Sequence, residues 1–391
     1  MIQVKIVFAT DVFYPYLDSG GVVHTFHVAR NLVKFGHEVI VLCHKTSSYS
    51  SESHNLLKDQ EVIDGINIIR AKKPYRYGAT IASLPALYEM YSQLKKMIRE
   101  GDVDVVNALL YRPFFPIFMA AKNKVPCIGS VHLTGFKEWR RYEAGELGAM
   151  ALWGIGNIAL RLPYDKVITV SETLRTELLE YYPREKIEVV YNGVDLEQID
   201  NVDSDEKNPN QVIYVGTLNK RKNVLDAVRA VELARTEIKD LELVIVSSGG
   251  DYEDVIKEMS RKNSFIKYYK KATDEEKMKL LKESSLLVHP SSKEGFPIVP
   301  IEALACNAPF IAYDIPEMKE ACEVTTGGVV VKQGDYVALS QRTCELFKNK
   351  SRLKEMAKRG RKKVEEEFTW EKVAKKTERL YRDVLIRQCR I

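Results

Sequence analysis

The chain has 391 residues, enough for two or three domains of roughly 150 residues each, and its hydrophobic content of 45% is ordinary for a globular protein. Its 59 Lys and Arg residues against 54 Asp and Glu residues give a net charge of +5, which is too small at this length to indicate a nucleic-acid partner. The six cysteines include no C-x-x-C pair, which favours buried free thiols over a disulfide framework or a thiolate metal site.

The N-terminal sequence predicts no signal peptide, and the hydropathy pattern predicts no membrane-spanning helix. The start, M-I-Q-V-K-I-V-F-A-T, leads straight into a strand pattern and lacks a basic region followed by a long apolar stretch. No run of about 18 uncharged apolar residues occurs. With the scattered cysteines, these patterns predict a cytoplasmic protein.

The first half of the chain alternates between strand and helix patterns, as a parallel, doubly wound α/β sheet does. Helices are predicted at 23–35, 81–99 and 172–181. Apolar runs predict strands at 4–9, 38–43, 61–71 (as a pair), 103–108, 125–131, 166–170 and 187–190.

Two features of this half are candidates for ligand binding. Gly20 and Gly21 lie in the predicted loop before the first helix, where adjacent glycines let a phosphate approach the backbone, although a simple tight turn is the alternative. His132 follows the strand at 125–131, at the end of the sheet where α/β proteins bind ligands. A lone histidine is more often structural than functional.

Residues 135–163 combine basic and aromatic side chains with an apolar helix pattern. Lys137, Trp139, Arg140, Arg141 and Trp153 suit peripheral contact with an anionic membrane, at its inner face for a cytoplasmic protein. The alternative is a helix buried between domains or in an oligomer.

A polar linker is predicted at 196–210, after which the α/β pattern restarts. Strands are predicted at 211–216, 241–246, 265–269, 286–288, 310–312 and 329–331. Helices are predicted at 224–236, 251–262, 274–283, 301–305, from 351 onward and at 370–386, with Thr369 as the cap of the last one.

The stretch from His289 to Glu317 carries two glutamates, Glu294 and Glu302, separated by seven residues. Glu294 lies in a loop after a buried strand pattern. If a helix begins near Pro297, Glu302 lies a little over one turn inside it. A strand-loop-helix turn also presents backbone N–H groups that suit anions, so both carboxylates are expected to face one ligand. The plain alternative is a helix cap and a solvated helix face.

This stretch resembles the E-x7-E signature of retaining glycosyltransferases of family 4, which have the GT-B fold. The V-S-E-x-L pattern near Ser171 and the N-G-V-D turn at 192–195 are also similar to that family. Asn307, where the family usually has Gly, and Tyr313-Asp314-Ile315, which replaces a common Gly-Gly-x, depart from it. The resemblance is carried by Glu294-Gly295-Phe296, Glu302-Ala303-Leu304-Ala305-Cys306 and Pro316-Glu317.

The resemblance implies a role for each candidate residue. Glu294 and His132 would orient the donor sugar, and Glu302 would bind the ribose hydroxyls. Gly20 and Gly21 would lie against the donor pyrophosphate. The remaining donor-binding candidates are the loop residues Gly295, Phe296, Pro297 and Ile298, and the phosphate-site residues Gly216, Thr217, Arg221 and Lys222. Among these, Lys222 matches the family lysine, Thr217 replaces the family arginine, and Arg221 adds a neighbouring cation.

The resemblance also implies an architecture and a reaction. Two doubly wound Rossmann-like domains would face a cleft: an acceptor-side domain at 1–190 and a nucleotide-sugar-binding domain at 191–369, with a C-terminal helix (370–391) crossing back to the first domain. The enzyme would transfer a sugar from a nucleoside diphosphate sugar to an acceptor with retention, without a metal or other cofactor.

Several features of this reaction stay open. UDP, GDP and ADP sugars are all compatible with the sequence, as are lipid-linked, protein-linked and soluble acceptors. A nucleotide-sugar epimerase and a non-catalytic nucleotide-sugar-binding protein of the same fold are the alternative functions.

Overall fold

The computed structural model describes residues 2–17, 19–45, 57–73, 84–109, 114–134 and 156–388. The chain forms two compact units, which are Met1–Tyr191 with Trp370–Ile391 and Asn192–Thr369. Each unit is built around one sheet of mainly parallel strands, so the predicted doubly wound α/β class is confirmed.

The first unit contains an eight-stranded sheet in the order β3-β4-β2-β1-β5-β6-β7-β8. All neighbouring strands are parallel except β3 and β4, which form the predicted strand pair as an antiparallel hairpin. The strands are β1 (Lys5–Ala9), β2 (Glu38–His44), β3 (Gln60–Ile63), β4 (Ile66–Ala71), β5 (Val105–Leu109), β6 (Cys127–Val131), β7 (Lys166–Thr169) and β8 (Ile187–Val189).

The central strands β5 and β6 are buried along their whole length. This explains why their sequences lack the apolar-polar alternation of a half-exposed strand, since a parallel strand is covered on both faces. The helices of this half with both ends in the described ranges are α1 (Gly20–Lys34), α2 (Leu84–Glu100), α3 (Phe114–Ala121) and α4 (Glu172–Leu178). No helix was predicted where α3 lies.

Helix α1 begins earlier than predicted. Ser19 is its N-cap, and the Ser19 side chain accepts a hydrogen bond from the Val22 backbone N–H at 3.4 Å. Gly20 and Gly21 are therefore the first two helical residues, and the prediction that they lie in a loop before the helix is wrong. At the other end, Gly36 has φ +89°, the left-handed conformation that terminates helices and favours glycine.

The second unit contains a six-stranded parallel sheet in the order β11-β10-β9-β12-β13-β14. Its strands are β9 (Gln211–Val215), β10 (Glu242–Ser247), β11 (Ile266–Lys270), β12 (Leu286–His289), β13 (Phe310–Tyr313) and β14 (Gly328–Val331). Strand β12 pairs with β9, with Leu286 opposite Val212. Because parallel neighbours end at the same edge, the loops after β9 and β12 are brought together.

Helices flank this sheet, and three of them were not predicted. The short helix α5 lies inside the predicted linker, where Asp195 is its N-cap and accepts from Gln198 N–H at 3.1 Å. The helices are α5 (Leu196–Asp200), α6 (Val224–Ala234), α7 (Glu253–Lys262), α8 (Asp274–Glu283), α9 (Ile298–Ala305), α10 (Pro316–Thr325), α11 (Tyr336–Lys348) and α12 (Lys350–Glu367). Helices α10 and α11 are the other two without a sequence prediction.

The C-terminal helix α13 (Trp370–Gln388) belongs to the first unit. Tyr381 packs in that unit's core, and its hydroxyl accepts a hydrogen bond of 2.6 Å from Asn107 Nδ2 on β5. Glu378 lies 3.1 Å from Nε2 of the buried His37. The predicted return of this helix to the first domain is thus confirmed.

Candidate active site

The loop between β12 and α9 places Glu294 beside three basic side chains. The Glu294 carboxylate lies 2.5 Å from Lys222 Nζ and 3.1 Å from His289 Nε2 through the same oxygen, Oε1. Its other oxygen is 3.6 Å from Arg221 Nη1. Only 12% of the Glu294 side chain is exposed. The structure therefore brings together three predicted site residues and His289, which was given no role from the sequence.

The environment keeps Glu294 ionised. Burial, the strongest single influence, favours the neutral acid, but Lys222, the hydrogen bond from His289 and Arg221 together outweigh it. These partners hold the pKa of Glu294 well below its usual value. With two cations on one carboxylate and a neutral imidazole, the cluster has one excess positive charge.

The segment after β9 is folded by its own polar side chains. Asn219 accepts a hydrogen bond of 3.1 Å from Lys222 N–H and so closes the tight turn that carries Lys220, Arg221 and Lys222. Thr217 accepts a hydrogen bond of 3.0 Å from the Tyr214 hydroxyl through its carbonyl. The Gly216 N–H donates to the Val246 carbonyl, so Gly216 and Thr217 shape the turn through their backbone.

Asn223 links the two loops and was missed in the sequence. It has φ +47°, and its Nδ2 donates to the Pro290 carbonyl at 3.0 Å and to Ser292 Oγ at 2.5 Å. Arg221 adds a second link through a 2.6 Å hydrogen bond to the Lys293 carbonyl. The place of Asn223 between a basic run and a predicted helix could have indicated this turn, because asparagine adopts the left-handed backbone conformation more readily than most residues.

The residues that follow Glu294 anchor the loop. Phe296 is buried and stacks on Phe368 with ring centroids 5.9 Å apart, while its carbonyl accepts from Asn192 Nδ2 at 2.8 Å. Pro297 is the N-cap of α9, and Ile298 is its first helical residue. Gly295 lies between Glu294 and this anchored segment. The Phe296 side chain therefore supports the loop from the core.

Glu302 lies in the second turn of α9 with a different partner. Its Oε1 is 3.0 Å from Lys277 Nζ on α8, and only 12% of its side chain is exposed. Its Oε2 is buried and has no hydrogen-bond partner among the residues that the structure describes. A buried carboxylate oxygen without a donor is costly, so this atom suits a hydrogen-bond donor from a ligand.

Asn307 explains how the chain leaves α9 without the glycine usual in the resembling family. Asn307 has φ +56° and donates to the Leu304 carbonyl, and Ala308 donates to the Ala303 carbonyl at 2.8 Å. This is a Schellman motif with asparagine in the left-handed position. The other departure, Tyr313, is fully buried, and its hydroxyl donates to Asp226 at 2.7 Å.

In the first unit, His132 and Gly21 are neighbours. A Cβ added to Gly21 would lie 3.4 Å from His132 Cγ and 3.4 Å from Leu109 Cδ1. His132 is buried, with the His24 ring edge-on at 4.7 Å, and neither of its ring nitrogens has a hydrogen-bond partner in the described parts of the chain. Burial and the neighbouring His24 lower the pKa of His132 well below its usual value, so the imidazole is neutral.

Most of the segment proposed for membrane contact lies outside the described residues. Of residues 135–163, only 156–163 are described, and there Ala159 and Leu160 are buried in the core of the first unit. None of the helices in the described ranges is both long and apolar enough to cross a membrane. Across those same ranges, no group of three or more His, Cys, Asp or Glu side chains is arranged to hold a metal ion.

Two family models match the chain, one for each half. Residues 19–198 match the model described as Glycosyltransferase Family 4. Residues 196–363 match the model described as Glycosyl transferases group 1, and this range includes Lys222, Glu294 and Glu302.

Relatives and solved structures agree with these matches. The chain is 25% identical to a Mycobacterium tuberculosis glycogen synthase, with 94% of this chain and 92% of the relative covered. Sucrose-phosphate synthase from Thermosynechococcus elongatus is similar in structure, with a TM-score of 0.77, 19% identity and coverage of 97% and 99% of the two chains. Anabaena HepE, solved in complex with UDP, has a TM-score of 0.72, 15% identity and coverage of 97% and 100%. These structures share the GT-B fold with this chain.

Proposed function

This chain belongs to the glycosyltransferases described by the group 1 and family 4 models, and on that premise we propose that it transfers a sugar from a nucleoside diphosphate sugar to an acceptor with retention. The acceptor class stays open between lipid-linked molecules, growing glycans and soluble sugars. The proposal concerns the donor, because the Glu294 cluster and the unsatisfied Oε2 of Glu302 lie in the second unit.

The observation that carries the proposal is the buried Oε2 of Glu302, which lacks a hydrogen-bond donor among the described residues. A ribose presents hydroxyl groups that donate to carboxylates, and pairing with one would remove the cost of the unsatisfied atom. Glu302 is therefore assigned to the ribose.

The cluster around Glu294 supports a role with the diphosphate. Lys222 and Arg221 already share one carboxylate and retain one excess positive charge, which favours an incoming anion. As the glycosidic bond breaks, negative charge develops on the departing diphosphate, and preorganised cations stabilise it. We propose that these cations make a metal ion unnecessary.

Glu294 is assigned to orientation of the donor sugar and not to nucleophilic attack. Its carboxylate is held by Lys222 and His289 through one oxygen, which fixes its direction. In the first unit, His132 is proposed to contact the sugar as a neutral imidazole, and the start of α1 at Gly20 and Gly21 is proposed to offer N–H groups to phosphate oxygens.

The similarity to Anabaena HepE, whose structures hold UDP and UDP-glucose, supports UDP-glucose as the first donor to test. In thermal-shift measurements with UDP-, GDP- and ADP-sugars, one nucleotide should raise the melting temperature of the native protein. The same nucleotide should raise the melting temperature of Glu302→Ala much less. Glu323→Ala, on the exposed face of α10, is the matched control.

Turnover separates this function from its alternatives. Release of nucleoside diphosphate with growth of a supplied acceptor is the expected result. An epimerase would change the donor sugar without releasing nucleotide, and a binding protein would bind the donor and leave it intact. No stabilisation by any of the sugar nucleotides would overturn the proposed donor class.

A further inference from the structure

Lys277 is the one described side chain that forms an ion pair with Glu302. The two atoms of this pair, Lys277 Nζ and Glu302 Oε1, are 3.0 Å apart, and 20% of the lysine side chain and 12% of the glutamate side chain are exposed. The pair is thus well shielded from water, where charge-assisted hydrogen bonds are stronger than at a surface.

Lys277 itself is held in a defined place by α8. Thr273 and Glu276 form a capping box at the start of this helix, with hydrogen bonds of 3.1 Å and 2.7 Å between them. Lys277 follows directly and lies 3.2 Å from Asp274 Oδ1. Two carboxylates therefore constrain the ammonium group, and its position is set by the rigid first turn.

Lys277 is held in its charged form by its two carboxylate partners. Burial, the strongest influence, lowers the pKa of Lys277, but Glu302 and Asp274 outweigh it and raise the pKa above the usual range. Glu302 then has one oxygen bound to a permanent cation and one oxygen without a protein donor. Rotation of the carboxylate would break the ion pair, so the pair also restricts the direction of Oε2.

We propose that Lys277 is a positioning residue for nucleotide recognition, which holds Glu302 so that Oε2 accepts a hydrogen bond from a ribose hydroxyl. The inference rests on the proposed function, which assigns Glu302 to the ribose. It also predicts how the protein discriminates between nucleotides, because a donor without that hydroxyl leaves Oε2 of Glu302 buried and without a hydrogen bond. Lys277 thereby sets the preference for ribonucleotides over deoxyribonucleotides.

The test compares nucleotides by isothermal titration calorimetry. The ligand is whichever of UDP, GDP and ADP binds the native protein, together with its 2′-deoxy and 3′-deoxy forms. For the native protein, at least one deoxy form should bind roughly 10- to 100-fold more weakly, as expected for loss of a hydrogen bond to a charged group. Lys277→Met should reduce this ratio to about 1–3 with little change in affinity for that deoxy form.

Two further variants separate positioning from stability. Lys277→Arg keeps the cation and should restore most of the ratio, whereas Lys279→Met, an equivalent change on the same helix, should leave the ratio at the native value. Lys279 pairs with Asp205 and Glu283 and has no contact with Glu302 among the described residues.

The outcomes distinguish this inference from the function on which it rests. If Lys277→Met still turns over the donor and its ratio of ribo to deoxy affinity is native, the positioning role is overturned and the proposed function stands. The same holds if Lys277→Met loses affinity equally for the ribo and deoxy nucleotides. A native protein that binds deoxy and ribo forms equally overturns it without any variant. A native protein that binds none of the nucleotides overturns both.

Discussion

The carboxylate of Glu317, at the start of α10, is completely buried and lies 2.8 Å from Lys293 Nζ. Lys293 directly precedes Glu294, and its carbonyl accepts the 2.6 Å hydrogen bond from Arg221. The ion pair therefore attaches the loop that carries Glu294, which follows β12, to α10, the helix that follows β13. Pro316-Glu317 was noted in the sequence only as part of a family pattern.

Glu317→Gln should destabilise the protein by about 1–3 kcal/mol, which is less than for a fully buried pair because Lys293 is partly exposed. The free energy of unfolding from urea titration measures the change. Glu323→Gln on the exposed face of the same helix should change it by less than about 0.5 kcal/mol. Equal effects in the two variants would show that the ion pair does not hold the loop.

Lys222→Met should lower kcat/KM by about 10²–10³-fold, since it removes a cation proposed to stabilise the departing diphosphate. Steady-state kinetics with the identified donor gives this value. Lys220→Met, in the same turn but exposed, is the control and should stay within a few-fold of the native enzyme. A native value of kcat/KM in Lys222→Met would exclude this lysine from the phosphate site.

The pH dependence of the free energy of unfolding should reveal how much the ion pairs of Glu294 stabilise the native state. Because the folded pKa of Glu294 is depressed, its pairing stabilises the native state fully above the unfolded pKa of about 4.5 and less as pH falls through the lower folded pKa. Glu294→Gln should thus be less stable than the native protein by about 3 kcal/mol at pH 7.

That difference should shrink below about pH 4.5, because the unfolded chain then binds a proton at Glu294 that the native protein, with its depressed pKa, does not bind until the pH is lower still. Urea unfolding at several pH values between 3 and 7 provides the measurement. A difference that stays constant over this range would mean that the cluster does not depress the pKa of Glu294.

Gly21 should accept alanine but not valine. An added Cβ meets His132 and Leu109 at an ordinary contact distance of 3.4 Å, and alanine favours the first turn of α1 by up to about 1 kcal/mol. The two methyl groups of valine would extend into His132, and Gly21→Val should lower the melting temperature. Thermal unfolding of both variants tests this, and a Gly21→Ala protein as unstable as Gly21→Val would contradict the packing.

The sequence by itself determined the α/β class, most strands and the pair of glutamates. Each of these is encoded by neighbouring residues: a buried parallel strand such as β13 is a continuous apolar run, and Glu294 and Glu302 lie in one short motif. Helices α3, α5, α10 and α11 were not predicted from the sequence, and Gly20 and Gly21 were predicted to lie before α1 instead of inside it.

Only the tertiary structure decided which charges meet. Lys222 is 72 residues from Glu294 in the chain, and they pair because β9 and β12 are neighbours in the sheet and end at the same edge. Lys277 reaches Glu302 because α8 and α9 pack together. Strand order and helix packing depend on burial summed over the whole unit, and no local pattern of residues contains that information.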